Sequence, residues 1–218
     1  MNILIVSATR NEIEPLISEL SDFREERSNL YQASFNSISI DVLITGIGMV
    51  ATSFYLGKHL HNKYDLAINL GIAGSFNRNI EMGSIVNIYS DRFSELGAED
   101  GNSFLSLEEM NLQGESEIVN ELITNNSVID ALSKVSGITV NTVHGNEQSI
   151  DTVINRFHPY TESMEGAAFL FACKSANQRC VQIRAVSNYV ERRNRNNWNI
   201  PLAIANLNKK AIEILNAF

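Results

Sequence analysis

Cysteine is nearly missing from this chain of 218 residues, which carries only Cys173 and Cys180. Their spacing fits neither a metal-ligand pair nor a redox dithiol. Both read as buried thiols, which suits a reducing compartment, and the expected location is the cytoplasm. Long apolar runs are missing too. The amino-terminal stretch MNILIVSATRNE breaks into charge after a few residues, so it reads as neither a secretory signal nor a membrane span. There is no surplus of Lys and Arg: the formal net charge is −8, which argues against nucleic acid as the main partner. None of the four histidines sits in an HExxH-like pattern, so no metal site is expected. GxGxxG and GxxxxGK[ST] are also absent, which disfavours dinucleotide and P-loop readings; no cofactor is expected.

With 44% hydrophobic and 19% charged residues, the composition is that of a compact globular protein. Its length suits one core and one domain over 1–218. Short apolar runs alternate with helical spacings. Asn2–Val6, Leu66–Leu70, Ser84–Tyr89, Ile138–Val143 and Cys180–Val186 read as strands, and Leu30–Phe35 with Ser39–Thr45 as a strand pair turning at Asn36-Ser37. Helices are expected over Glu12–Leu20, with Pro15 in the first turn, from Gly48 to about Leu60, over Leu122–Val135, over Gly166–Ala176, and over Ala203–Ala217. Ser90–Gln113 lacks periodicity and reads as a long loop. The alternation predicts an α/β domain with helices on both sides of an interior sheet.

In such folds ligands gather at the carboxyl ends of strands. Ser7–Glu12, Gly71–Ser75, Gly145–Ile150 and Ser187–Glu191 fall there, and SMEGAAF (163–169) enters the same crevice from a helix start. Glu12 reads either as a first-turn acid favouring the helix dipole or as a catalytic group. Glu165 precedes Gly-Ala-Ala-Phe, a sequence built for close packing. A carboxylate there needs donors, which buried structural partners or the vicinal hydroxyls of a sugar would supply. The clusters Gly46-Ile47-Gly48 and Gly71-Ile72-Ala73-Gly74 read as strand-to-helix turns or as close approaches to a ligand.

Five segments in this order, MNILIVSATRNE, TGIGMVA, NLGIAGSF, SMEGAAF and IRAVSNYVE, resemble the purine nucleoside phosphorylase and nucleosidase superfamily over nearly the whole chain. Within it, NYVE, ERRNRNNWNIP and HGNEQSI most resemble the futalosine hydrolases of the alternative menaquinone route. The resemblance implies a three-layer αβα sandwich around a central mixed, partly barrel-like sheet. It implies hydrolysis of a nucleoside N-glycosidic bond, with the release of hypoxanthine from futalosine. Glu12 would activate the attacking water, Glu165 would bind the ribose hydroxyls, and Met164 would pack under the sugar, with Ala73, Gly74 and Ser187 lining the substrate site. Asn188 stands where adenine-releasing relatives have an aspartate that protonates the leaving base. Asparagine cannot be that acid, but its amide matches a 6-oxopurine. The run Glu191–Arg195 offers Arg192, Arg193 and Arg195 to a substrate carboxylate, with Arg193 the candidate taken for the site and Trp198 as an aromatic face beside it. A solvated basic loop anchored by Trp198 explains the same residues.

Two other activities stay open on this sequence. One is an adenine-type nucleosidase. The other is a phosphorylase whose phosphate would need Arg10. A nucleoside-binding protein without activity is the third possibility. The resemblance also implies a homodimer, with Ser90–Gln113 and its Phe93, Phe104 and Leu105 reaching toward the neighbouring pocket.

Overall fold

The computed structural model describes residues 1–60, 64–101 and 103–218. It begins with β1 (Asn2–Ser7), α1 (Arg10–Ile17), β2 (Ser21–Arg27), β3 (Leu30–Phe35), β4 (Ile38–Ile44), α2 (Met49–His59) and β5 (Leu66–Ser75). The middle holds β6 (Ile85–Phe93), β7 (Gly97–Asp100), β8 (Ser103–Ser106), β9 (Glu117–Val119), α3 (Ser127–Asp130), β10 (Ser133–Thr139) and α4 (Glu147–Phe157). β11 (Thr161–Ser163), α5 (Gly166–Ser175), β12 (Cys180–Tyr189) and α6 (Ile200–Asn216) complete it.

Among the described residues the main sheet runs β11-β10-β6-β12-β5-β1-β4-β3-β2, with β9 on β6 and a further β11–β5 pairing. That pairing closes five strands on themselves, so the sheet is mixed, open at one side and barrel-like at the other, as the resemblance implied. Side chains alternate across the strands, as a pleated backbone requires. Ile3 and Ile5 of β1 pack with α1 and α6 on one face. Leu4 and Val6 pack with α2 and α5 on the other. Cys173 and Cys180 are both buried free thiols, and the contact with Cys180, aided by burial, holds the Cys173 thiol well above its ordinary range.

Several expectations need correction. α1 starts at Arg10, so Pro15 lies in the helix interior rather than the first turn. Proline brings no N–H to a helix interior and crowds the preceding turn. Asn208 of α6 answers this: its Oδ1 accepts from Leu16 N at 2.9 Å and its Nδ2 donates to Glu12 O at 2.8 Å. The amide thus bridges the backbone pair that spans Pro15. Gly71–Gly74 is no turn but the continuation of β5. The helix expected at Leu122–Val135 is only one turn, α3, and the strand expected at Ile138–Val143 begins at Ser133. Pairing of β10 with β6 along Ser133–Thr139 overrides the helical spacing there.

The expected loop Ser90–Gln113 contains the end of β6 and the β7–β8 hairpin, with Asn102 outside the described residues. Its Phe104 packs edge-on against Phe157 of the same chain, centroids 6.1 Å apart, under Arg156. β2, α4 and β11 escaped the reading. β2 is a charged, exposed edge strand without an apolar stripe, and β11 has three residues. α4 is capped by the Asn146 side chain, which accepts from Gln148 N and Ser149 N.

Candidate active site

SMEGAAF has a packing explanation that begins at Gly166. A Cβ there would lie 2.1 Å from Asp91 Oδ2 and 2.5 Å from Gln182 Nε2. Only glycine lets the first turn of α5 sit on this buried polar pair. Asp91 accepts from Thr139 Oγ1 at 2.8 Å and Gln182 Nε2 at 2.7 Å. Thr139 Oγ1 accepts in turn from Ala167 N at 2.7 Å. The helix start is pinned from below, and Glu165, its N-cap residue, is thereby fixed.

Burial pushes the Asp91 carboxyl up to about 6, against hydrogen bonds from Gln182 and Thr139 and the Arg184 charge. The folded state therefore favours protonated Asp91. The resulting stability is present below the ordinary value of 3.8 and is lost as pH rises through about 6. One pKa unit is worth about 1.4 kcal/mol, so the loss amounts to roughly 2–3 kcal/mol. Asp91→Asn removes it, and rotation of the Gln182 amide, whose Oε1 has no partner among the described residues, satisfies the new side chain. The expected result, by urea denaturation, is that the variant gains on the parent by that amount between about pH 4 and pH 7.5. A difference independent of pH would contradict the assignment.

Above this floor lies a cavity of about 400 Å³. All eight residues singled out in the sequence line it: Glu12, Ala73, Gly74, Met164, Glu165, Ser187, Asn188 and Arg193. Glu12 is held on three sides. Its Oε2 accepts from Thr9 N at 3.0 Å and Thr9 Oγ1 at 2.7 Å, and its Oε1 from Ile72 N at 3.1 Å. The first of these bonds belongs to the capping box of α1, so both readings of Glu12 describe one geometry: the cap orients a carboxylate that faces the cavity. Glu165 Oε1 accepts from Gly48 N at 2.9 Å. Gly48 has φ +97°, a backbone that favours glycine. Burial raises the Glu165 carboxyl above its ordinary range, opposed by Arg184 and by the Gly48 N–H.

Sequence reading missed Arg184. It is 2% exposed and donates to Asn69 Oδ1 at 2.6 Å and Ile183 O at 3.4 Å. A Cβ on Gly71 would meet Arg184 Nη1 at 3.0 Å and Glu12 Oε1 at 3.2 Å, so the glycine lets the cation lie under the carboxylate. Burial lowers its pKa, while Glu165, Glu12 and Asp91 raise it. An Arg inside CVQIRAV, flanked by apolar neighbours in a central strand, was the available signal.

Asn188 has a fixed orientation. Ser187 Oγ lies 2.8 Å from its Oδ1, as donor, and its Nδ2 donates to Tyr189 O at 3.0 Å. One amide N–H is left to donate. Gly74 has no room for a side chain: a Cβ there would lie 2.9 Å from Val190 Cγ2 and 3.2 Å from Asn188 Nδ2. At the cavity mouth Arg193 lies over the Trp198 ring, 5.1 Å from its centroid. Arg195 stacks on the same ring at 5.7 Å without lining the cavity. Arg10 is elsewhere, paired with Glu14 at 2.6 Å.

A model of the Phosphorylase superfamily matches residues 2–218. Futalosine hydrolase of Acidothermus cellulolyticus is 30% identical over 215 residues, 94% of this chain and 86% of that one. The enzyme of the same name from Thermus thermophilus is 26% identical over 180 residues, 79% and 80% of the two chains. Among solved structures, futalosine hydrolase of Helicobacter pylori superposes with a TM-score of 0.86 at 14% identity, covering 100% of this chain and 98% of that one. The 5′-methylthioadenosine/S-adenosylhomocysteine nucleosidase of Colwellia psychrerythraea, in complex with adenine, gives 0.84 at 20% identity, covering 100% and 95%. Sequence match and fold therefore agree: the chain belongs to the phosphorylase superfamily and, within it, to the futalosine hydrolase family.

Proposed function

We propose that this protein hydrolyses the N-glycosidic bond of futalosine, releasing hypoxanthine and dehypoxanthine futalosine on the alternative route to menaquinone, and that it acts in the cytoplasm as one domain over 1–218. The observation that carries this reading is the pairing of two carboxylates, Glu12 and Glu165, in one cavity over a buried guanidinium. Glycosidic cleavage passes through an oxocarbenium-like state, which the carboxylates favour, and the Arg184 charge opposes the rise that burial imposes on Glu165. Glu12, held by a cap and by Ile72 N, takes a proton from water attacking the anomeric carbon. Glu165 accepts from the ribose hydroxyls, Met164 packs against the sugar, and Ala73, Gly74 and Ser187 border the base.

A phosphorylase reading is the weaker one. Its phosphate would meet Glu12 and Glu165, while Arg10, the candidate cation, is tied to Glu14 outside the cavity. Release of free base from futalosine, inosine, adenosine and methylthioadenosine, with and without phosphate, tests the assignment. Phosphate-independent release of hypoxanthine from futalosine is expected, and strict phosphate dependence would overturn it.

The free N–H of Asn188 suits an acceptor such as O6 of a 6-oxopurine. In Asn188→Asp that donor is lost and the new carboxylate favours a 6-aminopurine. The ratio of hypoxanthine to adenine release is expected to fall about 10- to 100-fold, the range for one mispaired buried contact of about 1–3 kcal/mol. An unchanged ratio would mean that Asn188 does not face the base.

We also propose a homodimer. Phe104 packs on its own chain, so the apolar surface that supports a dimer is instead Ile47, Val50 and Phe54, 62%, 81% and 64% exposed, with Phe171 on the adjacent helix α5. Light scattering at assay concentration is expected to give twice the mass of the chain, and a fully active monomer would refute it.

A further inference from the structure

We infer that the leaving base is protonated by His144, which the buried Glu162 holds at the edge of the cavity. The inference deepens the proposed hydrolase reading and rests on it. With asparagine at 188, that reading lacks an acid: the base must leave with a proton on its imidazole nitrogen, and an amide cannot give one.

Both residues line the cavity that holds Glu12 and Glu165. Glu162 is 4% exposed. Its Oε1 accepts from His144 N at 3.0 Å, and its Oε2 is hydrogen-bonded to His144 Nδ1. A carboxylate so buried needs a cationic or strongly donating partner, and the imidazole is that partner. With Nδ1 engaged, Nε2 is the nitrogen left for a ligand.

Strand register sets where this pair sits. Glu162 of β11 pairs with Gly74 of β5, and Gly74 pairs on its other side with Asn188 of β12. Neighbouring strands lie about 4.8 Å apart, so Glu162 and Asn188 flank the bare glycine at about 10 Å across two ladder steps. A planar purine fits in that interval with its O6/N7 edge toward the two residues, O6 on the Asn188 amide and N7 toward His144. The two polar groups converge on neighbouring atoms of one edge of the ring.

The groups facing His144 decide its charge. Glu162 raises its pKa most, partial burial opposes, and Glu95 adds to the rise. Arg193 backs onto the neighbouring Gly145, where a Cβ would lie 3.3 Å from Arg193 Cβ, and the edge of Phe76 faces the imidazole ring. His144 also borders a second cavity of about 470 Å³ lined by Glu95, Phe104 and Arg156, through which solvent restores the proton.

The step balances. The bond from C1′ to N9 breaks and its electron pair goes to the purine. The imidazolium proton of His144 goes to N7, water adds to C1′, and the water's proton goes to Glu12. Solvent then returns a proton to His144 and takes one from Glu12.

The test compares two leaving groups in phosphate-free buffer. Futalosine loses a base that needs a proton, whereas p-nitrophenyl ribofuranoside loses a phenolate that needs none. His144→Gln is expected to lower kcat on futalosine about 10²- to 10⁴-fold and on the phenyl riboside less than about tenfold, a selectivity that loss of a mere packing contact would not give. In the parent, kcat/KM on futalosine should fall as pH rises through the raised histidine value, above the ordinary 6.5; the variant should lack this limb. Glu162→Gln should move the limb to lower pH, a readout that survives if His144→Gln does not fold. Equal losses on both substrates, no loss, or an unmoved limb would each overturn the role of His144. Parent enzyme that releases no base from futalosine or inosine would overturn the hydrolase reading itself, and this inference with it.

Discussion

Glu12→Gln is expected to fold and bind nucleoside while losing about 10²–10⁴-fold in turnover, the usual cost of removing a positioned base. Glutamine at the third helical position still serves a capping box, and one amide oxygen can keep either Thr9 or Ile72 as a donor. With the amide oxygen on the Thr9 side, both Thr9 donors keep their acceptor and the NH₂ faces Ile72 N, the one donor of three that loses its own. That mismatch costs about 1 kcal/mol in a half-buried site, far less than the chemical loss. Turnover in phosphate-free buffer and a thermal melt separate the two effects. Parent-like turnover in the variant would reject Glu12 as the base.

Arg184→Met should be the most damaging change for stability, by about 3–5 kcal/mol, since removing one member of a buried charge cluster leaves the others uncompensated. Glu165, Glu12 and Asp91 all lie within the field of this guanidinium, and Asn69 Oδ1 would lose its donor as well. The same loss should carry the Glu165 carboxyl further up, because Arg184 is the largest influence holding it down. Activity surviving in the variant should therefore disappear at a higher pH than in the parent as the solution is acidified. Urea denaturation reads the first effect and a pH–rate profile the second. A stability within about 1 kcal/mol of the parent would show that the three carboxylates do not depend on Arg184.

What could be read from the sequence, and what could not, follows from where each signal is stored. β1, β5 and β12 are covered on both faces, so their apolar runs stand out. The eight residues that line the cavity could be picked out because their motifs end strands or begin helices. β2 was invisible because an exposed edge strand needs charge rather than an apolar stripe. The helix expected from Leu122 failed because the β6 ladder, not local spacing, decides the fate of Ser133–Thr139. Arg184 and Glu162 were overlooked for a shared reason. Each is a buried charge whose purpose depends on partners far along the chain, Asn69 for one and His144 for the other.

The Asn208 bridge has a consequence for the order in which the protein can be completed on the ribosome. The helix bearing Glu12 emerges well before α6, since the amide that serves its proline-interrupted turn lies 192 residues further along, measured from Leu16. Until α6 emerges and docks, α1 has no partner for Leu16 N and Glu12 O beyond its own strained turn and water. Productive geometry at Glu12 is thus a late event in biogenesis, although its residues are made early. The partly made chain is accordingly without the positioned Glu12 carboxylate, and the cavity gains it only when α1 and α6 meet.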